Sequence, residues 1–282
     1  MNYQRKPDWL KTKLISNEQF KKVNQIVKSH NLHTICSSGR CPNMSECWNK
    51  GTATFMILGE ICTRSCSFCN TLTGRPLPPD PNEPMNIAES IKLMDLRHVV
   101  ITSVDRDDLP DRGAAHWVET IKAIKRINPE TTFEVLIPDF DGKIELLDKI
   151  IAEKPNIISH NLETVRSLTP QIRTKAKYET SLSVLKYISS QQVVSKTGIM
   201  LGLGETDTEV FSLMEDVLNA NCLILTIGQY MQPSRQNIAV KEYITPEKFE
   251  DYKQIGIQMG FKIIESAPLV RSSFCAEKHL SI

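Results

Sequence analysis

Short apolar runs alternate with helical patterns over most of this chain, from Ala53 onward. Such alternation is typical of βα units that surround a parallel sheet. The candidate strands are 53–58, 98–102, 132–137, 156–160, 196–201 and 222–228, with a last strand at 261–266. Six βα units are too few for a closed eight-stranded barrel. The sequence therefore predicts an α/β fold, a partial (β/α)6 TIM-type barrel with an open mouth.

Two sequence signals for helix starts support the predicted alternation of strands and helices. Thr206 followed by Glu209 has the spacing of a capping box, in which two side chains satisfy two free backbone N–H groups. Thr245 followed by Pro246 predicts the start of another helix.

The chain divides into three segments on this reading. Residues 1–52 form an N-terminal extension, 53–230 the partial barrel and 231–282 a C-terminal extension. We expect the two extensions to cover the open mouth. In barrels of this type the chemistry lies at the carboxyl ends of the strands.

Composition narrows the class of protein. The 282 residues carry a net charge of +1, which gives no electrostatic case for nucleic acid or an anionic membrane. There is no apolar run of membrane-spanning length and no signal-peptide pattern. Eight cysteines in such a chain favour metal or redox chemistry in a reducing cytoplasm.

Three cysteines follow the first predicted strand directly: Cys62, Cys66 and Cys69, in ICTRSCSFCN. Three thiolates can hold a cluster of four irons and leave one iron open for another ligand. Structural zinc prefers four closed ligands, so the triplet favours an iron-sulfur cluster over zinc.

A second set, Cys36, Cys41 and Cys47, precedes that strand. Its spacing fits neither a zinc ribbon nor a ferredoxin run. A zinc knuckle completed by a distant histidine stays open for this set taken alone.

The triplet resembles the signature of the radical S-adenosylmethionine (SAM) superfamily, and both sets together resemble the lipoyl synthase family. Further segments match in family order, among them GTATFMILG at 51–59, ITSVDRDDLPD at 101–111, HNLETV at 160–165 and GQYMQPS at 228–234. In that family the second set holds an auxiliary 4Fe-4S cluster, whose fourth ligand is a serine in an Arg-Ser-Ser-Tyr motif. The matching segment is 271–274, and the matching ligand is Ser273.

The resemblance implies an enzyme, a sulfurtransferase. It would insert two sulfur atoms, at C6 and C8 of a protein-bound N6-octanoyl-lysine, to give lipoyl-lysine. The auxiliary cluster would donate the sulfur, and two SAM molecules would be used per lipoyl group. Implied partners are octanoylated lipoyl-carrier proteins (the lipoyl domains of 2-oxoacid dehydrogenases and the glycine cleavage H protein) and a low-potential electron donor such as flavodoxin or ferredoxin. Neither nucleic acid nor a membrane is implied.

Predicted SAM contacts lie at or near strand ends. The resemblance assigns them as Thr102 and Ser103 for the methionine amino group, Asn161 and Glu163 for the ribose, Arg173 for the carboxylate or ribose edge, and Gly202 and Glu205 in a GxIxGxxE-like pattern near the adenine. Purely structural roles are the alternatives to SAM binding at three of these positions: a helix start capped by Asn161, a surface salt bridge of Arg173 and a turn shaped by Gly202. No catalytic side chain is expected beyond the clusters and SAM.

The chain departs from the usual family pattern at four positions, which leaves carrier preference open. The family usually has glycine at Arg112, histidine at Asn237, and tyrosine and histidine at Phe274 and Cys275. Cys222 fits neither cysteine set, and we expect it to pack at a strand start. A biotin-synthase-like sulfur inserter and an electron carrier with two clusters remain the alternative functions.

Overall fold

A computed structural model describes residues 5–12, 17–50, 52–274 and 276–281. Within these ranges the strands are β1 (His33–Thr34), β2 (Thr54–Ile57), β3 (Ile61–Cys62), β4 (Leu72–Thr73), β5 (His98–Ser103), β6 (Thr132–Leu136), β7 (Ile157–Ser159), β8 (Ser195–Leu201), β9 (Ile224–Gln229) and β10 (Ile263–Ser266). The helices are α1 (Glu18–Ser29), α2 (Ile35–Ser38), α3 (Met44–Asn49), α4 (Glu83–Met94), α5 (Ala114–Ile127), α6 (Ile144–Ala152), α7 (Thr169–Ile172), α8 (Tyr178–Ser190), α9 (Asp207–Asn219) and α10 (Pro246–Met259).

The main sheet of the described chain has eight strands in the order β1-β2-β5-β6-β7-β8-β9-β10. Its strands run parallel except β1, which pairs antiparallel with β2. Helices α4, α5, α6, α8, α9 and α10 connect successive parallel strands. The predicted partial (β/α)6 barrel is confirmed, and each predicted strand is present within two residues of its expected bounds.

Alternation of side chains along the strands separates an apolar outer face from a polar inner face. In β6, Phe133 and Val135 pack into the core beneath the helices. Glu134 lies between them, points inward and accepts a hydrogen bond from Lys196 of β8 at 2.8 Å. The inner face therefore carries buried polar groups.

Both extensions add strands to this sheet. His33 in β1 pairs with Met56 in β2, and Ile263 in β10 pairs with Ile224 in β9. The expected boundaries at 52 and 230 therefore fall within one continuous sheet.

The two predicted helix starts are confirmed. The Thr206 side chain accepts a hydrogen bond from the Glu209 backbone, and the Glu209 carboxylate accepts one from the Thr206 backbone at 2.9 Å. Thr245 caps α10 by accepting from the Lys248 N–H at 3.3 Å.

Candidate functional site

The first cysteine triplet lies in the loop that leaves β2 at the carboxyl edge of the sheet. Leu58 and Gly59 turn the chain there with φ of 69° and 87°. The Leu58 N–H donates to the Glu83 carboxylate at 2.7 Å, and Arg106 donates to the Leu58 carbonyl at 3.3 Å. Cys62 then forms part of β3. The turn is thus held on both sides, at the edge where barrel enzymes carry their chemistry.

Arg64, inside the triplet motif, anchors this loop through buried charges. Its guanidinium donates to Asp139 at 2.8 and 2.9 Å and to Asp107 twice at 2.9 Å. Asp105 lies 3.3 Å away and Asp141 3.4 Å away. Burial raises the pKa of Asp107, but the hydrogen bonds and charges of Arg64 and Lys175 together outweigh it and lower that pKa to about 2. The loop after β2 is therefore tied to the loops after β5 and β6.

Cys62 is buried, and Cys66 and Cys69 are half-buried. Burial raises the pKa of Cys62 to about 11 and that of Cys66 to about 12. The backbone N–H groups of Arg64 and Asp105 both donate to Cys62 Sγ at 3.4 Å, which favours a thiolate. Iron ligation requires thiolates, so the positive charge of bound iron has to complete their ionisation. We call Cys62, Cys66 and Cys69 the barrel site.

The second cysteine set lies on short helices of the N-terminal extension. Cys36 is in α2 and Cys47 is in α3, with Cys41 between them. Burial, with a contribution from neighbouring cysteines, raises the pKa of Cys36 to about 11 and that of Cys47 to about 12. The Trp48 side chain opposes that rise of the Cys36 pKa and so favours the Cys36 thiolate. A sulfur-rich cluster fits this setting.

The C-terminal segment enters the barrel beside that set. Asn43 Nδ2 donates to the Leu269 carbonyl at 2.7 Å. Val270 then packs against Gly228 of β9, where an added Cβ would lie only 2.1 Å from the Val270 oxygen. Glycine at this position leaves the space that the segment occupies.

Two consecutive serines of this segment bind opposite walls. Ser272 Oγ accepts from Asn161 Nδ2 at 2.7 Å, and Ser273 Oγ accepts from Thr54 Oγ1 at 2.9 Å. An added Cβ at Gly198 would lie 3.0 Å from Ser272 Oγ. Gly198 therefore makes room for the serine segment. We call Cys36, Cys41, Cys47 and Ser273 the terminal site.

A cavity of about 560 Å³ connects the barrel site to the terminal site. Its lining includes Cys36, Cys41, Cys62, Cys66, Cys69 and Ser273. The predicted SAM contacts that also line it are Thr102, Ser103, Asn161, Glu163 and Arg173. Cys47 is not in this lining, although it lies close enough to Cys36 and Cys41 for both to raise its pKa.

Two buried polar atoms at this cavity lack protein partners. Ser103 Oγ and Asn161 Oδ1 make no hydrogen bond in the described parts of the chain. Thr102 differs, because its hydroxyl donates to the Leu136 carbonyl at 3.1 Å. Unsatisfied buried polar groups are costly, so these two fit a polar ligand such as SAM.

Arg173 is held beside the cavity by a chain of hydrogen bonds. Arg173 donates to Ser181 Oγ at 2.9 Å, and Ser181 lies 2.9 Å from His160 Nε2. His160 Nδ1 lies 2.9 Å from the Ile137 carbonyl, which can only accept, so Nδ1 carries the proton and Nε2 accepts from Ser181. Burial, then Arg173, lowers the pKa of His160 to about 4. A neutral His160 thus orients the arginine.

Glu163 adopts a left-handed backbone with φ of 68°. Its N–H donates to the Gly198 carbonyl at 3.0 Å, and its own carbonyl accepts from the Met200 N–H at 2.9 Å. The segment therefore bridges to β8. The alternative of a helix starting at Asn161 is wrong. Burial raises the pKa of Glu163, and Arg173 opposes that rise.

Gly202 and Glu205 lie outside the cavity that the other predicted SAM contacts line. Glu205 Oε2 accepts three backbone N–H bonds, at 3.0 Å from Gly202, 2.9 Å from Leu203 and 3.1 Å from Gly204. Gly202 has φ of 99°, a conformation that favours glycine. Neither residue is in the cavity lining, and both shape the turn after β8.

Two of the family departures make defined contacts. Arg112, where the family usually has glycine, has φ of 55° and donates to Asp141 at 2.8 Å. Asn237 donates to the Cys69 carbonyl at 2.7 Å. Phe274 is half-buried, and Cys275 lies outside the described residues. Cys222 is fully buried two residues before the start of β9, as expected.

Sequence reasoning missed several residues that organise the site. For Arg64 the sequence offered only two separate cues, a basic residue inside the cysteine motif and an acid-rich loop at 105–108, and nothing in it paired them. Asn43 and Thr54 had none, because their partners lie 226 and 219 residues further along.

In the described ranges, no group of three or more side chains is placed to hold a single metal ion. The side chains considered are those of histidine, cysteine, aspartate and glutamate. Among the helices that the structure describes, none combines the length and apolarity that a membrane span requires.

Comparison with known proteins identifies the family. The family model described as the radical SAM superfamily matches residues 56–217. A lipoyl synthase of Parabacteroides distasonis is 67% identical over 98% of both chains. A lipoyl synthase of Bacteroides fragilis is 62% identical over 98% of this chain and 96% of its own.

Solved structures show the same fold. The crystal structure of Streptococcus suis SuiB bound to precursor peptide SuiA superposes with a TM-score of 0.62 at 10% identity, over 88% of this chain and 52% of that one. The curated relatives are enzymes, which excludes the electron-carrier alternative. The chain therefore belongs to the lipoyl synthase family of the radical SAM superfamily, and this membership implies a 4Fe-4S cluster and SAM.

Proposed function

We propose that this protein inserts sulfur at C6 and C8 of an octanoyl-lysine carried on a protein, and so makes lipoyl-lysine. The observation that carries the proposal is the 560 Å³ cavity, which the first cysteine triplet, two cysteines of the second set (Cys36 and Cys41) and Ser273 line together. Such an arrangement allows one substrate chain to reach a radical source and a sulfur source in a single enclosed space.

The barrel site would hold the SAM-binding cluster, since its three cysteines leave one iron open. The terminal site would hold the auxiliary cluster, with Ser273 as the ligand other than cysteine. The N-terminal extension 1–52 supplies the three cysteines of that site, and the C-terminal extension 231–282 supplies the serine. The partial barrel 53–230 supplies the barrel site and the SAM contacts.

A different structural observation supports each of the proposed SAM contacts. Ser103 and Asn161 have free buried oxygens at the cavity, and Arg173 is oriented toward it by Ser181. Glu163 lines the cavity as well, and Thr102 contributes chiefly to the wall, because its hydroxyl is already bonded. Gly202 and Glu205 would act indirectly, through the turn after β8.

When bound, the reduced cluster and SAM supply a 5′-deoxyadenosyl radical for hydrogen abstraction, and the auxiliary cluster supplies sulfide. The chain binds and orients these groups and keeps water away from the cavity, which protects radicals from side reactions. Among the described cavity residues, no nucleophile and base pair is needed for this chemistry.

We propose two SAM molecules per lipoyl group, one for each sulfur. The substrates would be octanoylated lipoyl domains of 2-oxoacid dehydrogenases and the glycine cleavage H protein. A flavodoxin or ferredoxin would supply electrons in the cytoplasm.

The test is anaerobic. The protein is reconstituted with iron and sulfide and incubated with SAM, a strong reductant and an octanoyl-lysyl peptide. We expect the peptide to gain two sulfurs by mass. Formation of 5′-deoxyadenosine without any gain of sulfur would show that the protein is another kind of radical SAM enzyme.

Two matched variants separate cluster ligands from ordinary buried cysteines. Cys36→Ala should lower the iron bound per chain and abolish sulfur insertion while 5′-deoxyadenosine still forms. Cys222→Ala alters an equally buried cysteine outside both sites, and it should retain the full iron content. Equal iron content in the two variants would contradict the assignment of Cys36.

A further inference from the structure

The terminal site joins both ends of the chain at Thr54, the first residue of β2. We propose that Thr54 is a positioning residue that stabilises Ser273 as an iron ligand. This inference rests on the proposed function, because it requires Ser273 to ligate the auxiliary cluster. Thr54 is 6% exposed, so water does not compete strongly for its hydroxyl.

Thr54 contacts two members of the terminal site through different atoms. Its hydroxyl donates to Ser273 Oγ at 2.9 Å. Its backbone N–H hydrogen-bonds the Cys36 thiol. Thr54 therefore hydrogen-bonds both Cys36, the first residue of the terminal site in the sequence, and Ser273, the last.

The direction of the side-chain hydrogen bond suits a ligating serine. A serine oxygen bound to iron has no proton left and can only accept hydrogen bonds. Donors to charged oxygens form stronger bonds than donors to neutral ones. Thr54 places such a donor on the oxygen that would bind iron.

The donor is also rigidly placed. Thr54 pairs with Val100 in the parallel ladder between β2 and β5, and a β-branched side chain has restricted χ1 rotation. The sheet thus fixes where the hydroxyl points before any iron arrives.

Ser272, the residue next to Ser273, shows why the contact from Thr54 is needed: two adjacent serines are available and only one would bind iron. Ser272 Oγ is bonded to Asn161 on the opposite wall at 2.7 Å. Of two adjacent serines, one is therefore held on the SAM side and the other on the cysteine side. Thr54 is the contact that holds Ser273 on the cysteine side.

The experiment uses the full chain with Cys62, Cys66 and Cys69 all changed to alanine, so that bound iron reports the terminal site alone. After anaerobic reconstitution, the rate of iron release to a chelator is measured. Thr54→Val keeps the side-chain shape without the hydroxyl and should release iron about tenfold faster, the effect of losing one charge-assisted hydrogen bond. Thr54→Ser should stay close to the parent rate.

Thr120→Val is the matched control. Its hydroxyl is fully buried and donates to the His116 carbonyl at 2.8 Å within α5, away from the cavity. Its iron release should match the parent. A folded Thr54→Val chain that takes up no iron, beside a Thr54→Ser chain that does, supports the inference as well.

A double-mutant cycle with Ser273→Ala distinguishes the possible failures. If Ser273→Ala releases iron at the parent rate, the proposed serine ligand is wrong. If Ser273→Ala accelerates release but Thr54→Val does not, only the role of Thr54 is wrong. An equal acceleration by Thr54→Val with and without Ser273 also overturns that role, since Thr54 would then act by another route.

Discussion

The barrel site and the terminal site are held in place by different forces. The loop of the barrel site is anchored by a buried arginine, Arg64, that is paired with aspartates from two neighbouring loops. The terminal site is closed by hydrogen bonds between distant parts of the chain: from Asn43 to Leu269, from Thr54 to Ser273, and from the Arg40 guanidinium to the Pro233 carbonyl. None of these three contacts is an ion pair.

The difference matches the proposed roles. Buried ion pairs are costly to break, because each leaves an uncompensated charge. Hydrogen bonds outside ion pairs contribute less each and can be exchanged more easily. We infer that the barrel site is built to persist through many turnovers. The terminal site, whose cluster would be consumed as the sulfur source, would have to open and be refilled.

Removal of the arginine anchor is expected to have the largest effect. Arg64→Met keeps the unbranched stem but leaves Asp139, with a side chain only 3% exposed, without its cation. The free energy of unfolding of the apo protein should fall by about 3–5 kcal/mol, measured by urea denaturation.

Arg166→Met is the control for that change, because Arg166 is 54% exposed and pairs with Asp216 at the surface. It should cost about 1 kcal/mol or less. Equal losses in the two variants would mean that the barrel site is not held by buried charge.

Acid should weaken the barrel region through His160. Its pKa is about 4 in the folded protein, against an ordinary 6.5. Between these values the unfolded chain binds more protons than the folded one, so stability is fully present above pH 6.5 and is lost as pH falls toward 4. The loss attributable to His160 is about 3 kcal/mol. Urea denaturation at several pH values measures it.

His160→Gln provides the comparison, because glutamine does not titrate. Its stability should depend less on pH between 4 and 6.5 than that of the parent. A parallel pH dependence in both proteins would show that other groups, and not His160, govern acid stability.

Removal of the Asn43 contact that closes the terminal site should lower the stability less than these changes do, but it should lower the amount of bound iron. Asn43→Ala leaves the Leu269 carbonyl without its donor and should lower the free energy of unfolding by about 1–2 kcal/mol. Iron bound at the terminal site should decrease, while iron at the barrel site is unchanged.

Asn128→Ala removes a comparable bond, 2.8 Å to the Ala88 carbonyl, between α5 and α4. It should show a similar loss of stability and no loss of iron. Loss of iron in both variants would indicate a general effect of destabilisation.

The smallest effect is expected at Asn237, which donates to the Cys69 carbonyl. Asn237→His introduces the usual residue of the family and retains a donor, so stability should change by about 0.5 kcal/mol or less. Asn237→Ala should cost about 1 kcal/mol. Thermal denaturation of both variants measures this, and a larger loss with histidine would mean that the surrounding loop has adapted to asparagine.

Much of the fold was predictable because its signals are local. Apolar runs such as 98–102 and 132–137 must be buried, and the capping box at Thr206 marks a helix start within four residues. The short β1 was missed, since two residues carry no periodicity and depend on pairing with Phe55 and Met56. Gly228 was missed because only the approach of Val270 explains it.

The sequence by itself determined the family, the order of the βα units and the two sets of cysteines. These follow from residue identity and from spacings of a few positions. The tertiary structure decided that Arg64 binds Asp139 and that Thr54 binds Ser273. It also decided that Glu205 stabilises a turn outside the cavity by accepting backbone hydrogen bonds. Such contacts depend on which side chains the sheet brings together, and hydrogen bonds and ion pairs over a few ångströms leave no periodic trace along the chain.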